Sequence, residues 1–239
     1  MKERRIARVQ RRSGGRRPVS VDWFCVGSIP RPDPMARGTV PNFTHLEMPF
    51  PLFEADIHAA CVDAAGPCAV CDMHATMRFG GACYACFRAG KVDHAVDTVL
   101  GLVRREDAQA GCTHGIPLVA LQRRADFRDY NIIAHPVDPA FPDEAWVSVV
   151  IDRERLVELS RTPTYRSRQG ERWEFCCQLP CVFTGPLSPN TDLPTLLSSF
   201  DLDRFDAERI HAGLADGSIA TYSFRCDVCQ RQHVGWDRD

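Results

Sequence analysis

Long apolar runs are missing from this sequence. No stretch of about 18 consecutive apolar residues occurs, so no segment predicts a membrane-spanning helix. The arginine-rich N-terminus is not followed by an apolar stretch, and it therefore lacks the middle region of a secretory signal. Together these absences predict a cytoplasmic protein with no membrane partner.

Familiar catalytic motifs are missing as well. The sequence has no His-Glu-x2-His motif and no glycine-rich phosphate loop. Among the unpaired cysteines, which are Cys25, Cys61 and Cys112, the local candidate for a catalytic thiol is Cys112 with His114. A catalytic thiol also needs an orienting acid or an oxyanion site, and nothing in the sequence supplies either. We therefore predict that the chain is not an enzyme and has no catalytic residues.

Charge is distributed unevenly. Residues 1–17 carry Lys2 and seven arginines against one glutamate, whereas Met48 onward carries 19 Lys and Arg against 27 Asp and Glu. An acidic body does not resemble a nucleic-acid-binding surface. Residues 1–47, rich in Arg, Gly and Pro, are predicted to be a disordered basic extension, and residues 48–239 to be the folded domain.

Cysteine, by contrast, is abundant, with twelve in the chain. Disulfides are rare in a reducing compartment, so closely spaced cysteines there indicate metal ligands. A secreted disulfide scaffold is the alternative, which the missing signal and the chain length oppose.

The first predicted metal site lies within residues 68–86. It consists of two Cys-x2-Cys pairs separated by eleven residues: Cys68 with Cys71, and Cys83 with Cys86. Two intervening residues allow a tight turn to aim both sulfurs at one ion, and two such turns complete a tetrahedron. Four thiolates in that geometry select zinc.

The second predicted site is split. Cys226 and Cys229 form one Cys-x2-Cys pair near the C-terminus, and the segment WEFCCQLPCVF (173–183) offers three more cysteines, Cys176, Cys177 and Cys181. Spacing alone leaves open which two of the three complete the site.

Periodicity and composition predict a single compact α+β body with zinc-ribbon or zinc-knuckle elements. The predicted helices are 91–108, 152–161 and 201–217, and the predicted strands or extended segments are 116–121, 145–151, 172–184 and 218–226.

The sequence resembles the CbrC family, named for a bacterial colicin-tolerance protein. The resemblance covers about residues 48–239 and rests on Pro51, Phe53, Arg161, Thr162, Pro163, Tyr165, Trp173, Cys177, Cys181, Phe183, Gly185, Phe224, Arg225, Cys226, Cys229 and Trp236. It implies that Cys177 and Cys181 join Cys226 and Cys229 in the second cluster, 177–229, with Cys176 as a substitute ligand. Two structural zinc ions per chain are then expected.

The resemblance also implies a function. We expect a non-catalytic, zinc-stabilised protein that confers tolerance or immunity to a bacterial toxin, such as a bacteriocin, an effector or a nuclease, by stoichiometric binding. The acidic body suits a basic protein toxin as the partner, because complementary charge speeds association. The sequence does not indicate the binding residues or the oligomeric state. The alternative is a zinc-ribbon protein that binds nucleic acid or regulates expression.

Overall fold

The computed structural model describes residues 49–136, 144–200 and 202–238. The predicted basic extension, residues 1–47, lies outside them. The described residues form a single compact body of short helices and strands, which confirms the predicted α+β class.

The α-helices of the described residues are short. They are α1 (Tyr84–Arg88), α2 (Arg105–Ala110), α3 (Leu118–Leu121), α4 (Arg153–Leu159), α5 (Leu193–Ser199) and α6 (Arg204–Asp216), with 3-10 turns at Ile57–Ala59 and Phe127–Asp129.

The strands are short as well, and their named pairings are antiparallel. They are β1 (Gly66–Pro67), β2 (His74–Ala75), β3 (Arg78–Phe79), β4 (Ala82–Cys83), β5 (Ile116–Pro117), β6 (Asn131–Ala134), β7 (Trp146–Val150), β8 (Phe175–Cys176), β9 (Leu179–Pro180), β10 (Val182–Gly185), β11 (Ile219–Arg225) and β12 (Gln232–Arg238). Within the described ranges they form three two-stranded hairpins, β1-β2, β3-β4 and β8-β9, and two three-stranded sheets, β5-β7-β6 and β10-β11-β12.

Helices α4 and α6 begin and end at the predicted signals. The Asp152 carboxylate accepts the Arg155 N–H at 2.9 Å, and the Asp203 carboxylate accepts the Asp206 N–H at 2.8 Å. Each aspartate satisfies a backbone donor that the first helical turn leaves open. Helix α6 ends at Gly217, whose φ of 75° is the left-handed conformation typical of a helix C-terminus. Strands β7 and β11 also fall where strands were predicted.

The predicted helix 91–108 is wrong over most of its length. Val96 and Val103 instead pair as an antiparallel bridge, with both N–H to O distances at 2.9 Å. Between them the Thr98 hydroxyl accepts the Leu100 N–H at 3.0 Å and donates to the Gly101 carbonyl at 2.5 Å. That local bonding, together with a φ of +101° at Gly101, reverses the chain. Only α2 remains helical.

The predicted strand 116–121 is right only at its start. Strand β5 ends at Pro117, and α3 begins at the next residue. Proline has no N–H to continue a ladder, and the Leu118 N–H makes the last bond to the neighbouring strand, with the Ala145 carbonyl at 2.8 Å.

An aromatic cluster occupies the centre of the main core. The ring of Tyr165 stacks on Phe183 at 4.8 Å between centroids, and Phe224 packs edge-on against Tyr165 at 5.6 Å. Trp173 is fully buried and donates its indole N–H to the Cys181 carbonyl at 2.8 Å. Tyr165, Trp173, Phe183 and Phe224, which carry part of the family resemblance, are therefore packing residues.

A second, smaller core lies on the C-terminal sheet. Helices α5 and α6 bury Leu196 and Ile210 against each other and against the β12 side chains Val234 and Trp236. The core therefore helps to hold strand β12 in place.

Candidate metal centres

The first cysteine cluster contains the four predicted residues. Cys68 and Cys71 lie in the turn between β1 and β2, Cys83 ends β4, and Cys86 lies in α1. Their four sulfurs all lie within 4.8 Å of one another. The turn between β1 and β2 and the junction of β4 with α1 thus each present two thiols to a common point.

The second cluster differs from the predicted set by one residue. The four sulfurs that lie within 4.8 Å of one another belong to Cys176, Cys177, Cys226 and Cys229. Cys176 takes the place predicted for Cys181; it does not replace Cys177.

Cys181 lies outside the four-sulfur group because its side chain belongs to the core. It is completely buried within the main hydrophobic cluster, and its N–H extends the β8-β9 ladder to the Glu174 carbonyl at 2.9 Å. Burial raises the pKa of the Cys181 thiol, since a low-polarity environment disfavours the thiolate. It resembles a small apolar core residue.

A tight hairpin explains how two adjacent cysteines reach one ion. Strands β8 and β9 are joined by Cys177 and Gln178, both with positive φ, 51° and 63°. Two such residues define the type I′ turn, whose twist suits a two-residue hairpin. Cys176 at the strand end and Cys177 in the turn therefore both direct their sulfurs to the cluster.

Two of the three Cys-x2-Cys pairs, Cys68 with Cys71 and Cys226 with Cys229, share one backbone geometry. In the first, the Cys68 N–H bonds to the Met73 carbonyl, and the Asp72 N–H to the Cys68 carbonyl, both at 2.9 Å. In the second, the equivalent bonds join Cys226 to Arg231 and Gln230 to Cys226, also at 2.9 Å.

The residue that follows each of these two pairs is left-handed, Asp72 at φ 59° and Gln230 at φ 61°. This repeated turn is the zinc-knuckle element that the spacing predicted.

The sulfur positions suit a tetrahedral metal. A metal–sulfur bond of about 2.3 Å requires sulfurs about 3.8 Å apart at the corners of a tetrahedron. The Cys71 and Cys83 sulfurs are 3.8 Å apart, and in the second cluster Cys176 lies 3.9 Å from Cys177 and 3.6 Å from Cys229. Both clusters can hold a metal ion, and four thiolate donors at these distances fit zinc.

Backbone amides favour the thiolate form of one ligand in each cluster. Bonds from backbone N–H groups, first that of Cys83, lower the pKa of Cys68 to about 6. A bond from the Arg231 N–H lowers the pKa of Cys229 to about 7. Burial has the opposite effect on Cys86, whose pKa rises to about 12, and on Cys176. A bound cation offsets that cost because it stabilises all four thiolates together.

Cys112, the thiol considered for catalysis, has the electrostatics of an inert cysteine. Burial and the neighbouring Asp107 raise its pKa, whereas an activated nucleophile has a lowered one. His114 directs Nδ1 toward the Asp107 carboxylate, 3.5 Å away. Cys25 lies outside the described residues.

Two hollows flank the Cys177–Gln178 turn beside the second cluster. One has a volume of about 510 Å³ and is lined in part by Asn131, Val150 and Asp152. The other, of about 280 Å³, is lined by Asp126, Asp129 and Tyr130. The sequence did not predict these lining residues, because they come from separate segments of the chain that only tertiary packing brings together.

Among the described residues, no helix has both the length and the apolar character needed to span a bilayer.

These features define a class: a mixed helix-and-strand protein built around two four-cysteine metal centres. The chain belongs to the uncharacterised protein family UPF0167, whose model matches residues 53–238. No curated protein and no solved structure matches the chain.

Proposed function

We propose that the chain is a zinc-stabilised, non-catalytic protein that acts in the cytoplasm by stoichiometric binding to a basic bacterial toxin. The observation that carries the first half of this proposal is the pair of complete four-sulfur clusters. Four thiolates fill the coordination of zinc and leave no position for water or substrate, so such ions support structure and not chemistry.

Each ion would act as a cross-link, within residues 68–86 in the first cluster and between distant parts of the chain in the second. In the second cluster it would join the β8-β9 hairpin to the turn that follows β11. Two such links in a modest body hold the surface rigid. A rigid surface loses little conformational entropy on binding, which favours a protein whose function is recognition.

The partner class comes from the resemblance and from charge. The resemblance to the CbrC family points to tolerance of a bacterial toxin. From Met48 onward the chain carries 19 Lys and Arg against 27 Asp and Glu. A nuclease toxin has a basic surface for its own substrate, and an acidic protein associates quickly with such a surface and blocks it.

The test is protection of cells that express a toxin encoded beside this gene. The wild-type chain should protect, and the purified proteins should form a one-to-one complex in calorimetry. Cys226→Ser should abolish protection, because it removes a ligand of the second cluster. Cys112→Ser and His114→Ala should protect like wild type. If a folded, zinc-loaded Cys112→Ser chain fails to protect, the protein acts as an enzyme and the proposal is wrong.

The second candidate function is nucleic-acid binding, which the arginines of residues 1–17 and the two knuckles favour. Filter binding to plain duplex DNA separates the two. A steep loss of affinity with salt, removed by deleting residues 1–34, would favour the second candidate over the first.

A further inference from the structure

Strand β6 is an edge strand, and its outer side is unpaired within the described ranges. The His135 N–H bonds to the Trp146 carbonyl at 2.9 Å, and hydrogen bonding alternates along an antiparallel pair. Val149, the register partner of Ile132, bonds through its N–H and carbonyl to Thr113 on the other side of β7. The N–H and carbonyl groups of Ile132 and Ala134 therefore point outward from the sheet.

Strand β6 lacks two of the usual edge protections, a charged side chain and a proline. Natural edge strands carry lysine or proline, which discourages pairing with another chain. Strand β6 reads Asn-Ile-Ile-Ala, and Ile132 and Ile133 are 40% and 52% exposed. On the outer sheet face, Trp146 and Val150 are exposed beside Ile133. An open ladder with apolar side chains around it fits an extended peptide segment, which would bind by strand addition.

The start of β6 leads into an acidic cleft. Asn131 lines the larger hollow with Asp152, and the preceding residue, Tyr130, lines the smaller hollow with Asp126 and Asp129. Asp126 is paired with Arg124 at 2.9 Å, whereas within the described ranges Asp129 and the helix-capping Asp152 form no salt bridge.

The second metal centre adds to this negative charge. Four thiolates around Zn²⁺ carry a formal charge of about −2. The exposed Cys177 lines both hollows, so that charge lies at the cleft. A lysine or arginine side chain is the complementary occupant.

We propose that an extended segment of a basic partner protein adds to the outer edge of β6 and places a lysine or arginine in the cleft beside Cys177. The inference rests on the proposed function in one respect, namely that the partner is a basic protein. Main-chain bonds to Ile132 and Ala134 supply the ladder, and the cleft selects for positive charge.

The probe is a ten-residue peptide of alternating lysine and valine, with an alternating glutamate and valine peptide as its control. In ¹⁵N NMR of the zinc-loaded full chain, the lysine peptide should shift the Ile132 and Ala134 amides, and the glutamate peptide should not. Equal binding of both peptides, or shifts confined to other regions, would overturn the proposal.

Ile132→Pro tests the ladder, because it removes an outward N–H and leaves the β6-β7 bonds in place. It should weaken binding of the lysine peptide about tenfold, which is the effect of one lost buried hydrogen bond. Ala134→Pro serves as a second variant if the first fails to bind two zinc ions. Phe205→Lys, a change at a side chain 72% exposed on α6, should bind like wild type. Unchanged affinity in both folded proline variants would rule out strand addition.

Asp129→Asn tests the cleft. It should weaken binding of the lysine peptide about threefold and flatten its salt dependence. Glu106→Gln, an exposed acid on α2, is the matched control and should have no effect. The proposal also fails if the free chain already fills the edge. A concentration-dependent shift of the Ile132 amide would mean that a second copy of the chain fills the edge. Protection of that amide from hydrogen exchange in the monomer would mean that another segment of the same chain fills it.

Cell protection separates this inference from the proposed function. If Ile132→Pro loses peptide binding and still protects cells, the toxin does not bind at the β6 edge, so this inference is wrong and the proposed function stands. If wild type binds the peptide as described but protects no cells from the toxin, the function is wrong and the surface stands.

Discussion

The sulfur of Cys176 lies 3.6 Å from the sulfur of Cys229, 53 residues further along the chain. This contact closes the second cluster between the β8-β9 hairpin and the C-terminal knuckle. It assigns to Cys176 the position that the family resemblance gave to Cys181, and it makes the ligand assignment directly testable.

We expect the wild-type chain to bind two zinc ions, and Cys176→Ser to bind one. A serine hydroxyl is a poor zinc ligand, and three thiolates do not complete a structural site. Metal analysis of purified protein by mass spectrometry measures both values.

Cys181→Ser is the matched control for that experiment. It should retain two zinc ions while losing stability, because a hydroxyl replaces a buried thiol in the aromatic core. Loss of one zinc in Cys181→Ser with two retained in Cys176→Ser would reverse the assignment.

Removal of zinc should unfold the region between residues 173 and 229. The second cluster fixes the hairpin that carries Cys176 to the turn at Cys226, and metal binding of this kind is coupled to folding. After chelation, limited proteolysis should cut within this region and the melting temperature should fall. Digestion at the wild-type rate, with zinc removal verified, would show that packing alone maintains the fold.

The knuckle turns offer a way to stabilise the protein. Gln230 has φ 61°, a conformation that costs a non-glycine residue about 1 kcal/mol and glycine almost nothing. Gln230→Gly should therefore increase the free energy of unfolding by up to about 1 kcal/mol in a urea titration.

The control is Gln232→Gly in β12, where glycine should destabilise by about the same amount. If both variants lose stability equally, the left-handed conformation of Gln230 carries no cost.

Much of the fold and most of the site could be predicted because their signals are local. A Cys-x2-Cys pair directs two sulfurs to one point through its own backbone. In the same local way, Asp152 fixes the start of α4 and Gly217 fixes the end of α6. The choice between Cys176 and Cys181 is not local. It depends on the two left-handed residues of the hairpin, neither of which is glycine, and on the burial of Cys181 under Trp173.

The helix predicted over residues 91–108 was also wrong because the hydrophobic pattern does not determine how the chain packs. Val96, Val99, Leu100 and Val103 recur at helical spacing, but all four are buried because they lie on the two arms and the tip of a turn. Hydrophobic periodicity reports which residues are buried, and Thr98 and Gly101 decide how the chain buries them.

The last prediction concerns Glu171, a buried carboxylate near Asp97. Its Oε2 atom has no hydrogen-bond partner among the described residues. Burial, and to a smaller extent the charge of Asp97, raise the pKa of Glu171 well above its ordinary value of 4.5. The folded protein thus favours the neutral acid. The resulting stability is complete below pH 4.5 and is lost as the pH rises through the folded-state pKa.

Glu171→Gln removes this ionisation, so the variant should be more stable than wild type by about 1–2 kcal/mol near pH 8 and close to it near pH 5. Urea titrations of both proteins at the two pH values measure the difference, in which the titration of the zinc ligands cancels because both chains share it. Glu208→Gln, an exposed acid paired with Arg204 on α6, should leave the pH dependence unchanged. A Glu171→Gln chain whose stability changes with pH in parallel with wild type would mean that Glu171 is already ionised in the folded state, with its Oε2 bonded to water.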